Sequence, residues 1–168
     1  QYLFEDGSRE EVLFDPEQFD AIDQVDDFRF SPHEDAMLLT TQTRSIYRHS
    51  TLAMNFVYLR DDNSLRALFD KAVRNATFSH TQDKIAFCHA NDLYVKDLKS
   101  DQTVQVTTDG KENEIINGTP DWVYEEEFSY DRAFEWSPDG RHIAYVRFDE
   151  TEVPVFSMDI FGSGRYPK

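Results

Sequence analysis

The sequence predicts an all-β chain: a partial β-propeller of about three four-stranded antiparallel blades, read as a fragment of a larger propeller. Three observations carry this expectation. Short apolar runs alternate with polar turns along the chain, which is the signature of half-buried strands. One strand–turn–strand pattern recurs three times at intervals close to the length of a propeller blade. The composition is rich in side chains that suit pleated surfaces, with 14 Phe and 8 Tyr among 168 residues, and does not resemble that of a disordered chain.

Taken in order, Gln1 to Asp15 reads as a hairpin. Tyr2-Leu3-Phe4 turns at Asp6-Gly7, and Glu11-Val12-Leu13-Phe14 returns. Asp15 to Asp27, acidic and carrying Pro16, reads as a connection. The recurring unit then begins. Phe28-Arg29-Phe30-Ser31-Pro32 leads through His33-Glu34-Asp35 into Ala36-Met37-Leu38-Leu39-Thr40. Ala76-Thr77-Phe78-Ser79 leads through Thr81 to Lys84 into Ile85-Ala86-Phe87. Phe134-Glu135-Trp136-Ser137-Pro138-Asp139-Gly140 leads into Ile143-Ala144-Tyr145-Val146. The equivalent serines, Ser31, Ser79 and Ser137, are 48 and 58 residues apart.

A second hairpin follows each of the first two units. Asn55 to Leu59 turns at Asp61-Asp62-Asn63 and returns through Leu65 to Phe69. Leu93-Tyr94-Val95 turns near Lys99-Ser100-Asp101 and returns through Val104 to Thr107. Helical content is expected near zero, apart from a turn or two within Asp121–Asp131. The second interval is longer than the first, and the excess falls between Thr107 and Ala133. That stretch reads as an insertion on a regular scaffold, the usual place for binding residues in repeat proteins. Closed propellers need roughly four to eight blades. Residues 1–168 are therefore expected to be a fragment of the propeller, with open sheet edges.

The charge excludes some partners. Thirty-three acids against 17 bases give a net charge of −16, which repels phosphate backbones and anionic lipid. Nucleic acid is excluded, and cationic ligands, including peptide N-termini, are favoured. The single cysteine, Cys88, sits in an apolar run and reads as a small buried hydrophobe with no disulfide partner. Five histidines without ligand spacing point to no metal and no cofactor. No apolar run reaches membrane-spanning length, and no signal-peptide pattern opens the chain, which begins mid-pattern at Gln1.

The stretch with most chemistry is Asn117 to Trp136, NGTPDWVYEEEFSYDRAFEW. Glu125, Glu126 and Glu127 lie between Trp122-Val123-Tyr124 and Phe128. Apolar flanks would hold the segment against a hydrophobic surface and desolvate at least one carboxylate. Adjacent carboxylates in a partly dry site repel each other and favour a cation. Residue types alone leave two readings: a solvated acidic loop with aromatic packing, or an ammonium receptor. Trp122 and Tyr124 are expected to pack the insertion against its blade, and Trp136 to lie in the core.

DWVYEEEF (Asp121 to Phe128) resembles the N-terminal propeller of the dipeptidyl peptidase IV family in the prolyl oligopeptidase clan. WSPDGRHIAYVRFDETEVPVF (Trp136 to Phe156), IYRHSTLAMNFVYL (Ile46 to Leu59) and Tyr166-Pro167-Lys168 are similar to family segments in the same order. The resemblance covers roughly Asp26 to Lys168. The short connection Gly162-Ser163-Gly164 and the Ser-Pro-Asp-Gly style point to a bacterial member. The resemblance implies an exopeptidase that releases dipeptides with Pro or Ala in second position. It implies substrate-binding roles for Glu126 and Glu127, as the ammonium-binding pair, and for Arg48, as the holder of a backbone carbonyl. Arg48 also reads as a surface arginine paired with one of many acids.

The clan's catalytic Ser, Asp and His belong to a C-terminal α/β-hydrolase domain, a missing partner of this chain. No G-x-S-x-G occurs here, so no catalytic residue is assigned and the chain alone is expected to be inactive. Family members are commonly dimeric, so a homodimer is an expected state, although no stretch of this chain argues for an interface. A periplasmic, cell-envelope or extracellular location follows from the resemblance alone. Two alternatives stay open: a non-catalytic propeller that binds peptide segments, and a tripeptidyl or broader aminopeptidase of the same clan.

Overall fold

A computed structural model describes residues 11–154. Residues 1–10, which include the first strand of the expected leading hairpin, and residues 155–168 lie outside the described residues. Two four-stranded antiparallel meanders follow one another. The first consists of β1 (Asp27–Phe30), β2 (Ala36–Ser45), β3 (Thr51–Leu59) and β4 (Ser64–Ala67), in that spatial order. The second repeats it with β5 (Arg74–Phe78), β6 (Lys84–His89), β7 (Asp92–Asp97) and β8 (Thr103–Gln105). The expected blade pattern holds for both.

The recurring serine explains why the pattern folds as it does. Ser31 Oγ accepts from the Ala36 amide at 3.0 Å and donates to Asp35 at 2.8 Å. Ser79 accepts from the Lys84 amide and donates to Asp83, and Ser137 accepts from the His142 amide and donates to Asp139. One hydroxyl therefore clamps the turn to the returning strand and orients the turn carboxylate. Burial resists ionisation of Asp83, yet hydrogen bonds from Lys84, Thr81 and Ser79 outweigh it and bring its pKa down to about 2.

The sheets bury both faces. Leu38 of β2 and Ile85 and Phe87 of β6 join Val57, Leu68, Val73 and Ala76 in a cluster between the first two sheets. Their alternate neighbours turn the other way: Ala86 and Cys88 meet Leu93, Phe134 and Trp136. Met37 and Leu39 meet Ile22 and Tyr58. Period-two alternation with both sets apolar is what stacked sheets require. Trp136 and Cys88 are buried as expected, at 6% and 1% exposure. Burial pushes the Cys88 thiol up to about 12, as for an inert structural cysteine.

The segment Glu11 to Phe14 forms no strand, contrary to the expected return of the hairpin. Side-chain packing holds it instead. Leu13 and Phe14 lie on the Met37–Leu39 face, and Phe14 stacks on Phe19 and meets Tyr58 edge-on.

The third unit has β9 (Ile115–Asn117), α1 (Trp122–Phe128), β10 (Phe134–Trp136), β11 (Ile143–Tyr145) and β12 (Arg147–Asp149). β10 pairs with β11 and β9 with β12, so β9 and β10 lie end to end along one returning stretch, residues 143–149. They are one strand position split by the insertion. The split is closed at its neck: Gly118 N–H donates to Val146 O, Val146 N–H to Ala133 O, and Ala133 N–H to Gly118 O, at 2.8–3.0 Å. The insertion therefore projects from an intact sheet.

Candidate functional site

The short helix α1 is set by its caps. Asp121 precedes it with extended backbone and accepts from the Tyr124 amide at 2.7 Å. Ser129 ends it in the left-handed region, φ 56°, with its N–H on the Glu125 carbonyl. Both are standard cap chemistry. Tyr124 lies edge-on to Phe148 at 5.0 Å, which ties the helix to β12. Trp122 does not pack as expected and is 55% exposed.

Successive helical residues point about 100° apart, so the three glutamates face three environments. Glu125 has no exposed surface. Its Oε1 accepts from the amides of His49 and Ser50, both at 2.8 Å, and its Oε2 lies 3.9 Å from Arg74 Nη2. Burial pushes its pKa up; the Ser50 side chain, the Ser50 and His49 amides and the Arg74 charge outweigh that and hold it below its ordinary value. Glu126 is partly covered, and its Oε2 meets Arg48 Nε at 3.1 Å. Glu127 is exposed and has no ionic or hydrogen-bonded partner among the described residues.

The other wall comes from far away in sequence. β2 and β3 run to ten and nine residues, against six each for β6 and β7. A register shift between Thr41 and Arg44 bends the hairpin, and Ile46 N–H closes its tip on Ser50 O. The tip carries Arg48 and meets α1 of the third unit. Arg74, at the start of β5 in the second sheet, is only 15% exposed along its side chain. Burial lowers its pKa, with Glu125 the first group to counter it.

The structure thus brings together Arg48 and Glu126 and leaves Glu127 beside them on the same helix. Glu125, Arg74 and Ser50 were not singled out by sequence. The only signal for Glu125 was the apolar flanks, which announce a desolvated carboxylate without saying which one. The Arg48–Glu126 contact is a weak source of stability, about 0.2–1 kcal/mol for exposed pairs, because the Arg48 side chain is 71% exposed. Arg48 offers only Nε to Glu126, so the remaining donors of its planar fork have no partner among the described residues. The arrangement presents carboxylate oxygens and guanidinium N–H groups side by side, a fit for a group with an ammonium and a nearby carbonyl.

Beside α1 lies a polar cavity of about 700 Å³ lined by Tyr47, Arg74, Asp121, Trp122 and Glu150. Burial, reinforced by Asp121, raises the Glu150 pKa. A larger apolar cavity, about 880 Å³, lies away from the site against Phe28, Phe30, Met37 and Leu39. There the first sheet has no neighbouring sheet among the described residues. No group of three or more His, Cys, Asp or Glu side chains is arranged to hold a metal among the described residues.

The family described as dipeptidyl peptidase IV (DPP IV) N-terminal region matches residues 31–168. The chain is similar to prolyl endopeptidase FAP of Mus musculus, 33% identical over 145 residues, covering 84% of this chain and 19% of that protein. It is 40% identical over 140 residues to probable dipeptidyl-aminopeptidase B of Chaetomium globosum, covering 79% of this chain and 15% of that one. It also matches dipeptidyl peptidase 4 of Trichophyton equinum, 39% identical over 139 residues, covering 80% and 18%. The crystal structure of Porphyromonas gingivalis dipeptidyl peptidase 4 superposes with TM-score 0.88 at 35% identity, covering 99% of this chain and 24% of that one. The chain spans about a fifth or less of the length of these curated relatives.

Proposed function

The chain belongs to the dipeptidyl peptidase IV N-terminal region family, and on that premise we propose that in the whole protein it gates substrate entry and reads the peptide N-terminus for a serine exopeptidase that releases Xaa-Pro and Xaa-Ala dipeptides. The observation that carries the reading is the Arg48–Glu126 pair with Glu127, which has no partner among the described residues, next to it. A free α-amino group, with pKa about 8, is largely cationic at neutral pH. Carboxylates that accept its N–H bonds make charge-assisted contacts. Glu126 and Glu127 supply them, and the spare donors of Arg48 take the first backbone carbonyl.

An anchor on the amine works as a ruler. Two extended residues span at most about 7 Å. A serine nucleophile held at that distance, in an α/β-hydrolase domain outside this chain, cuts after the second residue. The acidic composition of the chain favours arrival of a cationic terminus.

The test uses the complete protein at neutral pH, with a Gly-Pro chromogenic substrate and its N-acetylated twin. Rapid release from the free amine and none from the blocked form supports both the anchor and the exopeptidase. Equal release from both means that the carboxylates do not read the N-terminus. No release from either transfers the weight to a non-catalytic peptide-binding propeller.

A further inference from the structure

We propose that Glu125, which does not reach the substrate anchor, is a positioning residue: its buried carboxylate clamps the Arg48 tip to α1 and so sets the geometry between Arg48 and Glu126. The inference rests on the reading of Arg48, Glu126 and Glu127 as the N-terminus anchor.

Three features assign the role. Glu125 is the one fully buried carboxylate of the three. Its Oε1 binds backbone: it takes the amides of the two residues that directly follow Arg48. Among the described residues these two bonds and the Arg48–Glu126 contact are the polar links between the tip and the helix. A bond to backbone fixes the path of the chain at residues 49 and 50, and with it the base of the Arg48 side chain. Glu126 is the next residue along the helix, so whatever holds Glu125 also holds Glu126.

The second sheet completes the arrangement. Arg74 Nη2 faces Glu125 Oε2 at 3.9 Å, and neither Arg74 Nε nor Arg74 Nη2 has a hydrogen-bond partner among the described residues. The guanidinium balances the carboxylate electrostatically without displacing the tip amides. The two N–H bonds to the carboxylate are charge-assisted, and opening them would leave a buried charge uncompensated, so this contact is costlier to break than an exposed pair. The clamp therefore orders a protruding, solvent-exposed arginine before substrate arrives, which removes an ordering cost from binding.

A residue that only stabilised the fold would lower thermal stability and the amount of active enzyme. A positioning residue raises KM while kcat is kept, since it removes binding common to ground and transition states. The test uses the full-length enzyme with free-amine and N-acetyl Gly-Pro chromogenic substrates. Glu125→Gln keeps the shape but makes Oε1 a weaker, neutral acceptor and turns an amide N–H₂ toward Arg74. Its KM for the free amine should rise by about tenfold, with kcat within about twofold of wild type. The double variant Glu125→Gln, Arg74→Met removes both buried charges. It should recover thermal stability lost in the single variant, yet keep the raised KM. It also serves as the decisive variant if Glu125→Gln alone does not fold.

A KM within about twofold of wild type in either variant overturns the proposal. So does a KM that returns to normal in the double variant as stability returns. A wild-type enzyme that cleaves free and blocked substrates equally overturns the anchor and this inference together. A wild type that discriminates, with a variant that binds normally, overturns the inference alone.

Discussion

Glu127→Gln is the sharpest perturbation of the proposed anchor, because Glu127 has no partner among the described residues that the change would disturb. A surface change of this kind alters stability by no more than about 0.5 kcal/mol. Its effect on substrate is another matter. Replacing a carboxylate by an amide removes one charged acceptor from an ammonium, and such hydrogen bonds contribute roughly 1.5–3 kcal/mol. At about 1.36 kcal/mol per decade, kcat/KM for a free-amine Gly-Pro substrate should fall roughly 10- to 150-fold. The loss should also depend on pH with a definite sign. The substrate amine carries its charge below its pKa of about 8 and loses it above. The advantage of wild type over Glu127→Gln is therefore full at neutral pH and shrinks as pH rises through about 8. The assay is initial-rate hydrolysis by the full-length enzyme between pH 6.5 and 9.5, with the N-acetyl substrate as control. A fall in kcat/KM of less than about threefold, or a loss that is constant across that range, refutes the ammonium reading of Glu127.

Two further outcomes concern stability. Gly110 lies where a Cβ would sit 2.6 Å from the Asn91 carbonyl carbon and oxygen and 2.7 Å from Asp92 Cγ. Backbone cannot yield as a side-chain tip can, so Gly110→Ala should cost about 1–3 kcal/mol or more; an unchanged apparent Tm of the full-length protein would remove that argument. The Glu125 carboxyl, held below its ordinary value, contributes stability that is present above its unfolded pKa and lost as pH falls through its folded pKa. Apparent Tm should therefore drop more steeply below about pH 4.3 in wild type than in Glu125→Gln, and parallel curves would show that Glu125 is not linked to folding.

The first two blades were readable because their determinants are local. The serine of each unit bonds to an amide five residues on and to a carboxylate two to four residues on. Ser31-Pro32 and Ser137-Pro138-Asp139-Gly140 therefore announce the turn from within one window of sequence. The alternation of Leu38 with Met37 and Leu39 likewise declares two buried faces without further information. The third unit was only half readable. Its insertion showed as extra length, and the Asp121 cap with seven residues of helix agrees with the expected turn or two. That β9 and β10 share one returning stretch did not show. Their separation depends on the neck hydrogen bonds of Gly118, Ala133 and Val146, which no periodicity records.

The sequence named three residues that the structure places near one another, Arg48, Glu126 and Glu127, but it did not show how they are held there, for a physical reason. Three consecutive glutamates are equivalent as residue types. What distinguishes them is which one the tip of a hairpin 75 residues upstream reaches. That reach depends on the length of β2 and β3, on the register shift between Thr41 and Arg44, and on how the blades stack. Each is a property of stacked blades, so the partition of the glutamates into one buried, one paired and one open is a tertiary fact. It also explains why these residues converge here at all. Arg48 from the first blade, Arg74 from the second and Glu125 and Glu126 from the third meet only if the blades stack in register. A shift of one blade would leave Glu125 buried without its amides, a costly uncompensated charge. On the proposed reading, the carboxylate that stays out of the anchor thus makes correct stacking and a correctly shaped anchor the same event.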